Sequence, residues 1–231
     1  MQRNNITKEE IGKGYDKIAE KIYVSEDFYN EVLDIVPEFK GDVLEAGVGQ
    51  GVVLRNIAER GGKNVKSLTG IDLSDRLLDM ARQAVPQATI LKADIEAMPF
   101  PDNSFDIAVM VDTFQYLLDF DKALSEIKRV LRPEGQLLVT VPNKKWILFE
   151  RYIRARKNIQ PVEDHFFDFE EISLLLEKHN FLIEKYKGAD AFRFYGRKHK
   201  IENSIIGWLP WVKKRMKKIV LLVKIDKYIK I

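Results

Sequence analysis

The stretch VLEAGVGQG, residues 43–51, places an apolar run and one acidic residue before three glycines at every second position. A helical pattern, VVLRNIAER, follows directly at residues 52–60. A strand, a glycine turn and a helix in this order are typical of a doubly wound α/β sheet, in which ligands bind beyond the carboxyl ends of the strands. Since glycine admits close contact with the backbone, we predict that Gly47, Gly49 and Gly51 line a ligand site. A tight turn that binds nothing is the alternative for this pattern alone.

The spacing of the glycines argues against a dinucleotide site. The dinucleotide fingerprint is G-x-G-x-x-G, whereas this chain has G-x-G-x-G, and Val52 stands where the fingerprint has its last glycine. The group that the full fingerprint holds at the start of the helix is a pyrophosphate. The pattern therefore favours a ligand whose non-nucleotide end is smaller than a pyrophosphate.

Strand and helix patterns alternate without interruption as far as residue 142. This alternation predicts a doubly wound α/β fold, with a mostly parallel sheet, right-handed crossovers and helices on both faces. We predict seven strands, at residues 42–46, 67–73, 88–94, 105–112, 136–142, 181–187 and 191–196. We predict helices at residues 7–23, 27–36, 52–60, 75–85, 121–131 and 168–180.

Two aspartates mark the ends of the second and third predicted strands. Asp72 lies 21 residues after Gly51, and a carboxylate there can accept hydrogen bonds from both ribose hydroxyls of a nucleoside. Asp94 can accept from an exocyclic adenine amine, while Leu73 and Ile95 offer apolar faces to the ring. The alternative for each aspartate is the cap of a turn or helix. Because both acids follow consecutive strands beside the glycine turn, we interpret them together as a nucleoside site.

Four stretches give the chain its resemblance to a known family. They are VLEAGVGQG (43–51), GIDLSDRLLDMAR (70–82), ADIEAMPFPDNSFDIAVMVDTFQYL (93–117) and EIKRVLRPEGQLLVTVPN (126–143). In this order they resemble the motifs of class I S-adenosylmethionine-dependent methyltransferases, in the type 11-like group that acts on small molecules and lipids. The resemblance implies a Rossmann-like fold, S-adenosylmethionine as the cofactor and methyl transfer as the reaction.

The resemblance also implies a role for each residue of the methionine end. The backbone at Gly47 and Gly49 would face the methionine, with Glu45 near its amino group. Asp112, after the fourth strand, would lie beside the methionine and the substrate. Tyr15 would help to close the pocket.

At the other end of the cofactor, the resemblance implies that Asp72 holds the ribose and that Asp94 and Ile95 bind adenine. One departure is Val48, which stands where the family often has cysteine or serine. Because valine is similar in size to these residues, we expect cofactor binding to be retained.

Methyl transfer from a sulfonium is an in-line displacement, so the protein mainly has to align the reactants and exclude water. A general base helps only when the acceptor is a hydroxyl or a protonated amine. The candidate catalytic residues are His165, Asp112 and Tyr116. For His165 the alternative is a loop histidine that packs near a helix start. We predict no metal site, and the chain contains no cysteine that could supply a thiolate.

The C-terminal segment 197–231 is basic, with eleven Lys or Arg and two acidic residues, although the whole chain has a net charge of only +3. We interpret residues 208–231 as a basic amphipathic helix, in which Trp208, Ile219 and Val223 share the apolar face. Such a helix suits the surface of an anionic membrane. The alternatives are a helix packed against its own domain and an arm for dimerisation.

We expect one α/β domain over residues 1–196, with a substrate-side insertion at 143–164, followed by the tail at 197–231. The N-terminus lacks the apolar core of a signal peptide, and no run is long enough to span a bilayer. We therefore expect a cytoplasmic protein whose tail can meet the inner face of the membrane.

The function that the sequence favours is methyl transfer from S-adenosylmethionine to a small-molecule or lipid-linked acceptor. Two alternatives stay open. One is a non-catalytic module of the same fold that binds the cofactor, and the other is an RNA methyltransferase that uses the basic tail. Against a nucleic-acid partner, VDTF (111–114) stands where adenine-modifying enzymes have a tetrapeptide similar to NPPY.

Overall fold

The structure is a computed structural model, and it describes residues 6–22, 26–144, 161–189 and 218–225. One sheet contains seven strands: β1 (Gly41–Ala46), β2 (Val65–Asp72), β3 (Thr89–Lys92), β4 (Phe105–Met110), β5 (Leu131–Pro142), β6 (Phe181–Ala189) and β7 (Lys218–Ile225). The α-helices within the described residues are α1 (Lys8–Ile18), α2 (Glu26–Leu33), α3 (Val52–Gly61), α4 (Asp75–Ala84), α5 (Phe120–Val130) and α6 (Phe169–Lys178).

The strands lie in the order β3-β2-β1-β4-β5-β7-β6. Strands β1 to β5 are parallel to one another, whereas β7 runs antiparallel to both β5 and β6. The predicted mostly parallel, seven-stranded sheet is confirmed. Since the strand order reverses between β1 and β4, the turns that follow these two strands diverge above a crevice, which is where doubly wound sheets bind their ligands.

Apolar side chains cover both faces of the sheet, which explains why its central strands are apolar throughout. On one face, Leu44 of β1 belongs to a core cluster with residues of α5 and α6. On the other face, Val43 belongs to a cluster with residues of α2, α3 and α4. The predicted helices on both faces are confirmed, and the two layers leave the carboxyl edge of the sheet for the site.

Side-chain caps fix where four of the helices begin. Thr7 and Asp168 each form a capping box with the glutamate three residues further on. Ser74 and Asp119 each accept a hydrogen bond from the backbone N–H three residues further on. These caps satisfy N–H groups that have no partner within the helix. The helix starts predicted at Thr7, Ser74 and Asp168 are confirmed, whereas α5 begins at Phe120, one residue before its predicted start at 121.

Helix α1 is shorter than the predicted helix at 7–23. It ends at Ile18, and a single 3-10 turn follows over Ala19–Lys21. The carbonyl of Ala19 accepts a hydrogen bond from Gln50 Nε2 at 2.8 Å. This contact joins the end of α1 to the glycine turn after β1.

Strand β7 comes from the basic C-terminal segment and corrects the interpretation of that segment. Residues 218–225 pair with both β5 and β6, so the predicted amphipathic helix over 208–231 is wrong for them. Side chains of a strand alternate between the two faces of its sheet, and this run is apolar on both. Its central residues are buried and alternate between the two core clusters: Ile219, Val220, Leu221, Leu222 and Val223.

Other parts of the C-terminal prediction fall outside what the structure describes. The predicted strand at 191–196 and most of the predicted insertion at 143–164 lie outside the described residues. Lys224 of β7 pairs with Glu184 of β6 at 3.0 Å, so this lysine of the basic segment has an acidic partner within the sheet. Among the described residues, none of the helices has the length and apolar character needed to cross a membrane.

Replacement of Leu221 by alanine tests the placement of β7. Leu221 is fully buried, so the lost apolar contact and the cavity are expected to lower the free energy of unfolding by about 2 to 5 kcal/mol. Urea unfolding followed by circular dichroism measures this change. The matched control is Leu174→Ala on α6, where the leucine is 60% exposed and the expected change is within about 0.5 kcal/mol. Equally small changes in both variants would contradict a central strand at this position.

Candidate functional site

Two turns touch beyond the carboxyl ends of β1 and β4. The turn after β1 carries Gly47, whose φ is +84°. A Cβ on Gly47 would lie 2.3 Å from the side chain of Thr113, which belongs to the turn after β4. The Thr113 hydroxyl is held in turn by a hydrogen bond that it donates to the backbone oxygen of Val111 at 3.1 Å. The close approach of the turn after β4 is therefore enough to exclude a side chain at position 47.

Gly49 differs because the space beside it is open. Its φ is +52°, and a Cβ built on it would meet no described atom within 4 Å. Its N–H donates to Asp72 Oδ2 at 3.0 Å, which joins the glycine turn to the end of β2. Gly51 instead begins α3 and lies against Ala81 of α4, so it serves helix packing. Of the three predicted glycines, Gly49 is the one with open space beside its backbone.

The departure at Val48 is explained by the core. Val48 is buried, and its side chain fills the space over Gly70 of β2, where a Cβ would lie 2.7 Å from it. An apolar residue at such a buried position needs no hydrogen-bond partner. The side chain of Val48 therefore packs the turn after β1 against β2.

The carboxylate of Glu45 is buried at the end of β1, with 2% of the residue exposed. It accepts a hydrogen bond from the backbone N–H of Leu54 in the first turn of α3. Among the described residues, none donates a hydrogen bond to its Oε2. Burial raises the pKa of Glu45 well above its ordinary value, because a charge is costly away from water. A cationic group bound beside Oε2 would favour the charged form again.

Asp72 accepts three backbone N–H groups at the end of β2. Its Oδ1 accepts from Leu73 at 2.8 Å and from Ser74 at 3.0 Å, while Oδ2 accepts from Gly49. Desolvation raises the pKa of Asp72 although each of these bonds favours the charged form. The three bonds hold the carboxylate in one orientation at the edge where the ribose is predicted to bind.

Asp94, which follows β3, is bound by the N-terminal helix. Lys8 of α1 pairs with Asp94 Oδ1 at 3.1 Å and with Glu96 Oε1 at 2.5 Å. Glu96 Oε1 also accepts from the backbone N–H groups of Leu118 and Asp119. The predicted adenine end is thus tied both to α1 and to the turn that precedes α5.

Helix α1 lies against the turn after β2. A Cβ on Gly12 would lie 2.5 Å from the backbone oxygen of Leu73, so the two backbones are in direct contact. Asp16 Oδ1 accepts from the hydroxyl of Ser74 at 2.6 Å. The two predicted apolar residues are placed differently, because Leu73 is half-buried beneath α1 whereas Ile95 is buried in the core.

Tyr15, which is predicted to close the pocket, extends from α1 to the turn after β4. Its ring meets that of Tyr116 edge to face, with centroids 5.9 Å apart. Helix α1 and its 3-10 turn therefore contact the turns after each of the first four strands. The contacts are made through Gln50, Ser74, Asp94 and Tyr116.

The turn after β4 also carries Asp112, which has a left-handed φ of +55°. Its N–H donates to Thr140 Oγ1 of β5 at 2.9 Å. The predicted catalytic candidate His165 lies beside the same turn, since its N–H donates to the backbone oxygen of Gln115 at 3.1 Å. The ring of His165 lies 4.5 Å from that of Phe167, an arrangement that suits packing as well as contact with an acceptor.

Tyr29 of α2 is a residue that sequence reasoning missed. Burial raises the pKa of Tyr29, and the carboxylates of Asp112 and Glu45 raise it further. The phenol therefore lies within electrostatic reach of the two acids that are predicted to meet the methionine end. In the sequence, Tyr29 follows Phe28 on an apolar helix face and carries no motif that would distinguish it from a core residue.

Comparison with known proteins defines the class of this fold and site. Residues 44–139 match the family model described as a methyltransferase domain. The chain is 33% identical over 166 residues to a demethylmenaquinone methyltransferase of Chlamydia pneumoniae, covering 64% of this chain and 70% of that protein. It is 40% identical over 96 residues to a malonyl-[acyl-carrier protein] O-methyltransferase of Serratia marcescens, covering 42% of this chain and 36% of that protein.

A solved structure shows the same fold. The S-adenosylmethionine-dependent methyltransferase of Thermotoga maritima matches with a TM-score of 0.69 at 22% identity, covering 94% of this chain and 100% of that one. The chain belongs to the family of S-adenosylmethionine-dependent methyltransferases, so the predicted family, its Rossmann-like fold and its cofactor, S-adenosylmethionine, are confirmed. The chain spans only 33% to 38% of the length of the first curated relatives that it matches.

The residues of the site fit this cofactor. Glu45 offers an amino group a buried oxygen that no described residue binds. The space that the described residues leave open beside Gly49 admits the approach of a ligand. Three backbone N–H groups hold Asp72 at the end of β2, where its carboxylate can accept hydrogen bonds from the hydroxyls of a ribose.

Replacement of Glu45 by glutamine is expected to raise the thermal stability of the free protein and to weaken its binding of the cofactor. Because the pKa of Glu45 is raised in the folded state, the free protein loses stability as the pH rises through that pKa. The amide removes this loss, so we expect a higher thermal midpoint at neutral pH. We also expect about tenfold weaker binding of S-adenosylmethionine, because its amino group loses the opposite charge.

Thermal unfolding at several pH values and calorimetric titration measure the two effects of this substitution. The control is Glu59→Gln on α3, where the carboxylate is exposed and neither quantity is expected to change. Unchanged affinity in the Glu45→Gln variant would contradict the place of this carboxylate in the site.

Proposed function

We propose that the chain transfers the methyl group of S-adenosylmethionine to a small-molecule or lipid-linked acceptor by in-line displacement. The observation that carries the proposal is a row of acids at the ends of three adjacent strands: Glu45, Asp72 and Asp94. Neighbouring strands lie about 4.8 Å apart, so the row extends over about 10 Å. This spacing supports a ligand with an amino group at one end, a ribose in the middle and adenine at the other end.

When bound, S-adenosylmethionine supplies a methyl group on a positively charged sulfur that is already a good leaving group. The residues of the chain therefore have to position the reactants and exclude water, and no nucleophilic side chain is needed. Glu45, Asp72 and Asp94 would hold the amino group, the ribose and the adenine of the cofactor, respectively. Helix α1 covers the edge of the sheet, which would keep water from the reacting atoms.

The side of the crevice that would receive the acceptor is rich in aromatic rings. Tyr15 and Tyr116 form one pair across the site. The ring of His165 lies 5.1 Å from that of Phe120 and 4.5 Å from that of Phe167. Such a lining favours a flat or apolar acceptor over a highly charged one.

A general base is required only if the acceptor is a hydroxyl or a protonated amine. Asp112, Tyr116 and His165 are the proposed candidates, because all three lie in or beside the turn after β4. Asp112 and His165 each carry a group that can accept a proton, and the hydroxyl of Tyr116 can orient the acceptor.

The relatives support the class of acceptor. By their names, the Chlamydia pneumoniae protein methylates demethylmenaquinone and the Serratia marcescens protein methylates a malonyl group on an acyl carrier protein. The first is a lipid and the second is carried on a protein, so we extend only the broad class, a small-molecule or lipid-linked acceptor, to this chain.

The structure reduces the support for two predicted partners of the C-terminal segment. They are a membrane surface at residues 208–231 and RNA at the basic tail 197–231. The apolar residues Ile219 and Val223 are buried in the sheet, so they are not available to a lipid surface. Lys224 pairs with Glu184, so its charge is already balanced within the protein. Neither partner is part of the proposal.

The substitution Asp72→Asn tests cofactor binding. An amide in place of the carboxylate loses the charge-assisted hydrogen bonds to the ribose, so we expect binding of S-adenosylmethionine to weaken about tenfold or more. Calorimetric titration measures the affinity, and circular dichroism shows that the variant is folded. The matched control is Asp79→Asn, an exposed residue of α4 that pairs with Arg82 and should leave affinity unchanged.

Turnover decides between an enzyme and a module that only binds the cofactor. We expect the wild-type chain to form S-adenosylhomocysteine when a lipid extract is added to S-adenosylmethionine, and to form little without the extract. Chromatography of the nucleoside products measures this. Tight binding without turnover on any extract would favour the binding module instead.

A further inference from the structure

The backbone of Asp112 has an unusual conformation in the turn after β4, beside the proposed cofactor site. Its φ of +55° lies in the left-handed region, which residues other than glycine rarely adopt. Such a conformation persists only where the surrounding structure imposes it.

Two buried side chains bind the two main-chain polar groups of Asp112. Its N–H donates to Thr140 Oγ1 at 2.9 Å, and its carbonyl accepts from Gln115 Nε2 at 3.2 Å. Thr140 is 0% exposed and Gln115 is 1% exposed, so water does not compete for either bond. The bent backbone is therefore held from both sides.

The register of the sheet explains why a side chain has to bind this N–H. The pairing of β4 with β5 ends at Met110 and Val139, so the chain has left the ladder when it reaches Asp112. A buried N–H without a partner is costly, and the hydroxyl of Thr140, one residue further along β5, supplies the acceptor. Threonine is stiff about its first side-chain bond, which keeps that hydroxyl in place.

The bent residue lies beside the glycine turn, where the methionine end of the cofactor is proposed to bind. The next residue, Thr113, touches the position of a Cβ on Gly47, and its Oγ1 lies 3.4 Å from the backbone oxygen of Gly47. Asp112 thus follows β4 next to the glycine turn that follows Glu45 on the adjacent strand β1.

We propose that Thr140 and Gln115 are positioning residues, which hold the backbone of Asp112 so that its carboxylate meets the methionine end of the cofactor. This inference rests on the proposed function, because it assumes that S-adenosylmethionine occupies the crevice. In this arrangement the carboxylate of Asp112 determines how much the methionine part of the cofactor contributes to the binding affinity, in addition to the contribution of the adenosine part. The backbone contact between Gln115 and His165 extends the same support to the acceptor side.

The substitution Thr140→Val tests the inference, since valine keeps the shape of threonine and removes the acceptor oxygen. We measure the affinities of S-adenosylhomocysteine and of adenosine by calorimetric titration. Adenosine lacks the methionine part, so its affinity should not change, whereas that of S-adenosylhomocysteine should fall about tenfold. The conservative variant Thr140→Ser keeps the hydroxyl and should restore the wild-type ratio of the two affinities.

Two further variants keep the test decisive. Thr69→Val replaces another buried threonine, on β2, and should leave the ratio unchanged. Gln115→Met removes the donor to the carbonyl of Asp112 and should lower the ratio in the same direction as Thr140→Val. Equal losses for both ligands, or an unchanged ratio in both the Thr140→Val and Gln115→Met variants, would overturn the inference. A wild-type chain that binds neither ligand would overturn the proposed function itself, and the inference with it.

Discussion

The reversal of strand order between β1 and β4 is the constraint on which the rest of the site depends. Helix α3, which follows β1, packs on one face of the sheet, whereas α5, which follows β4, packs on the other. The two connecting turns must therefore separate, but they start from adjacent strands and touch where Gly47 meets Thr113. A crevice opens directly above this contact. The residues of the site belong to its two rims, or to α1, which crosses it.

The site combines features that cost stability with contacts that hold them in place. Burial makes the charged form of Glu45 unfavourable, and the left-handed conformation of Asp112 is strained. The N–H of Leu54 and the hydroxyl of Thr140 partly compensate, and both belong to rigid elements of the core. A ligand that carries a positive charge completes the compensation, which makes the arrangement suited to binding rather than to stability alone.

The sequence predicts those parts of the site that depend on local geometry. A strand followed by glycines places Gly49 and Asp72 at the same edge, because the carboxyl ends of parallel strands meet there. The contact of Lys8 with Asp94 could not be predicted, since it joins residues 86 apart and depends on how α1 docks. Likewise, the hydrogen bond between Thr140 and the N–H of Asp112 depends on the register of β4 and β5, which the sequence does not reveal. Strand β7 was misread because its short apolar run fits the periods of a helix and of a buried strand equally well.

A crystal structure of the chain with S-adenosylhomocysteine is the sharpest test of the proposed cofactor site. We expect density for the ligand in the crevice between β1 and β4, with its amino group beside Glu45, its ribose on Asp72 and its adenine near Asp94. We also expect the backbone of Asp112 to keep its left-handed conformation in the complex. A ligand bound elsewhere, or one that lies in the crevice without contacting Glu45 and Asp72, would contradict this assignment of the site.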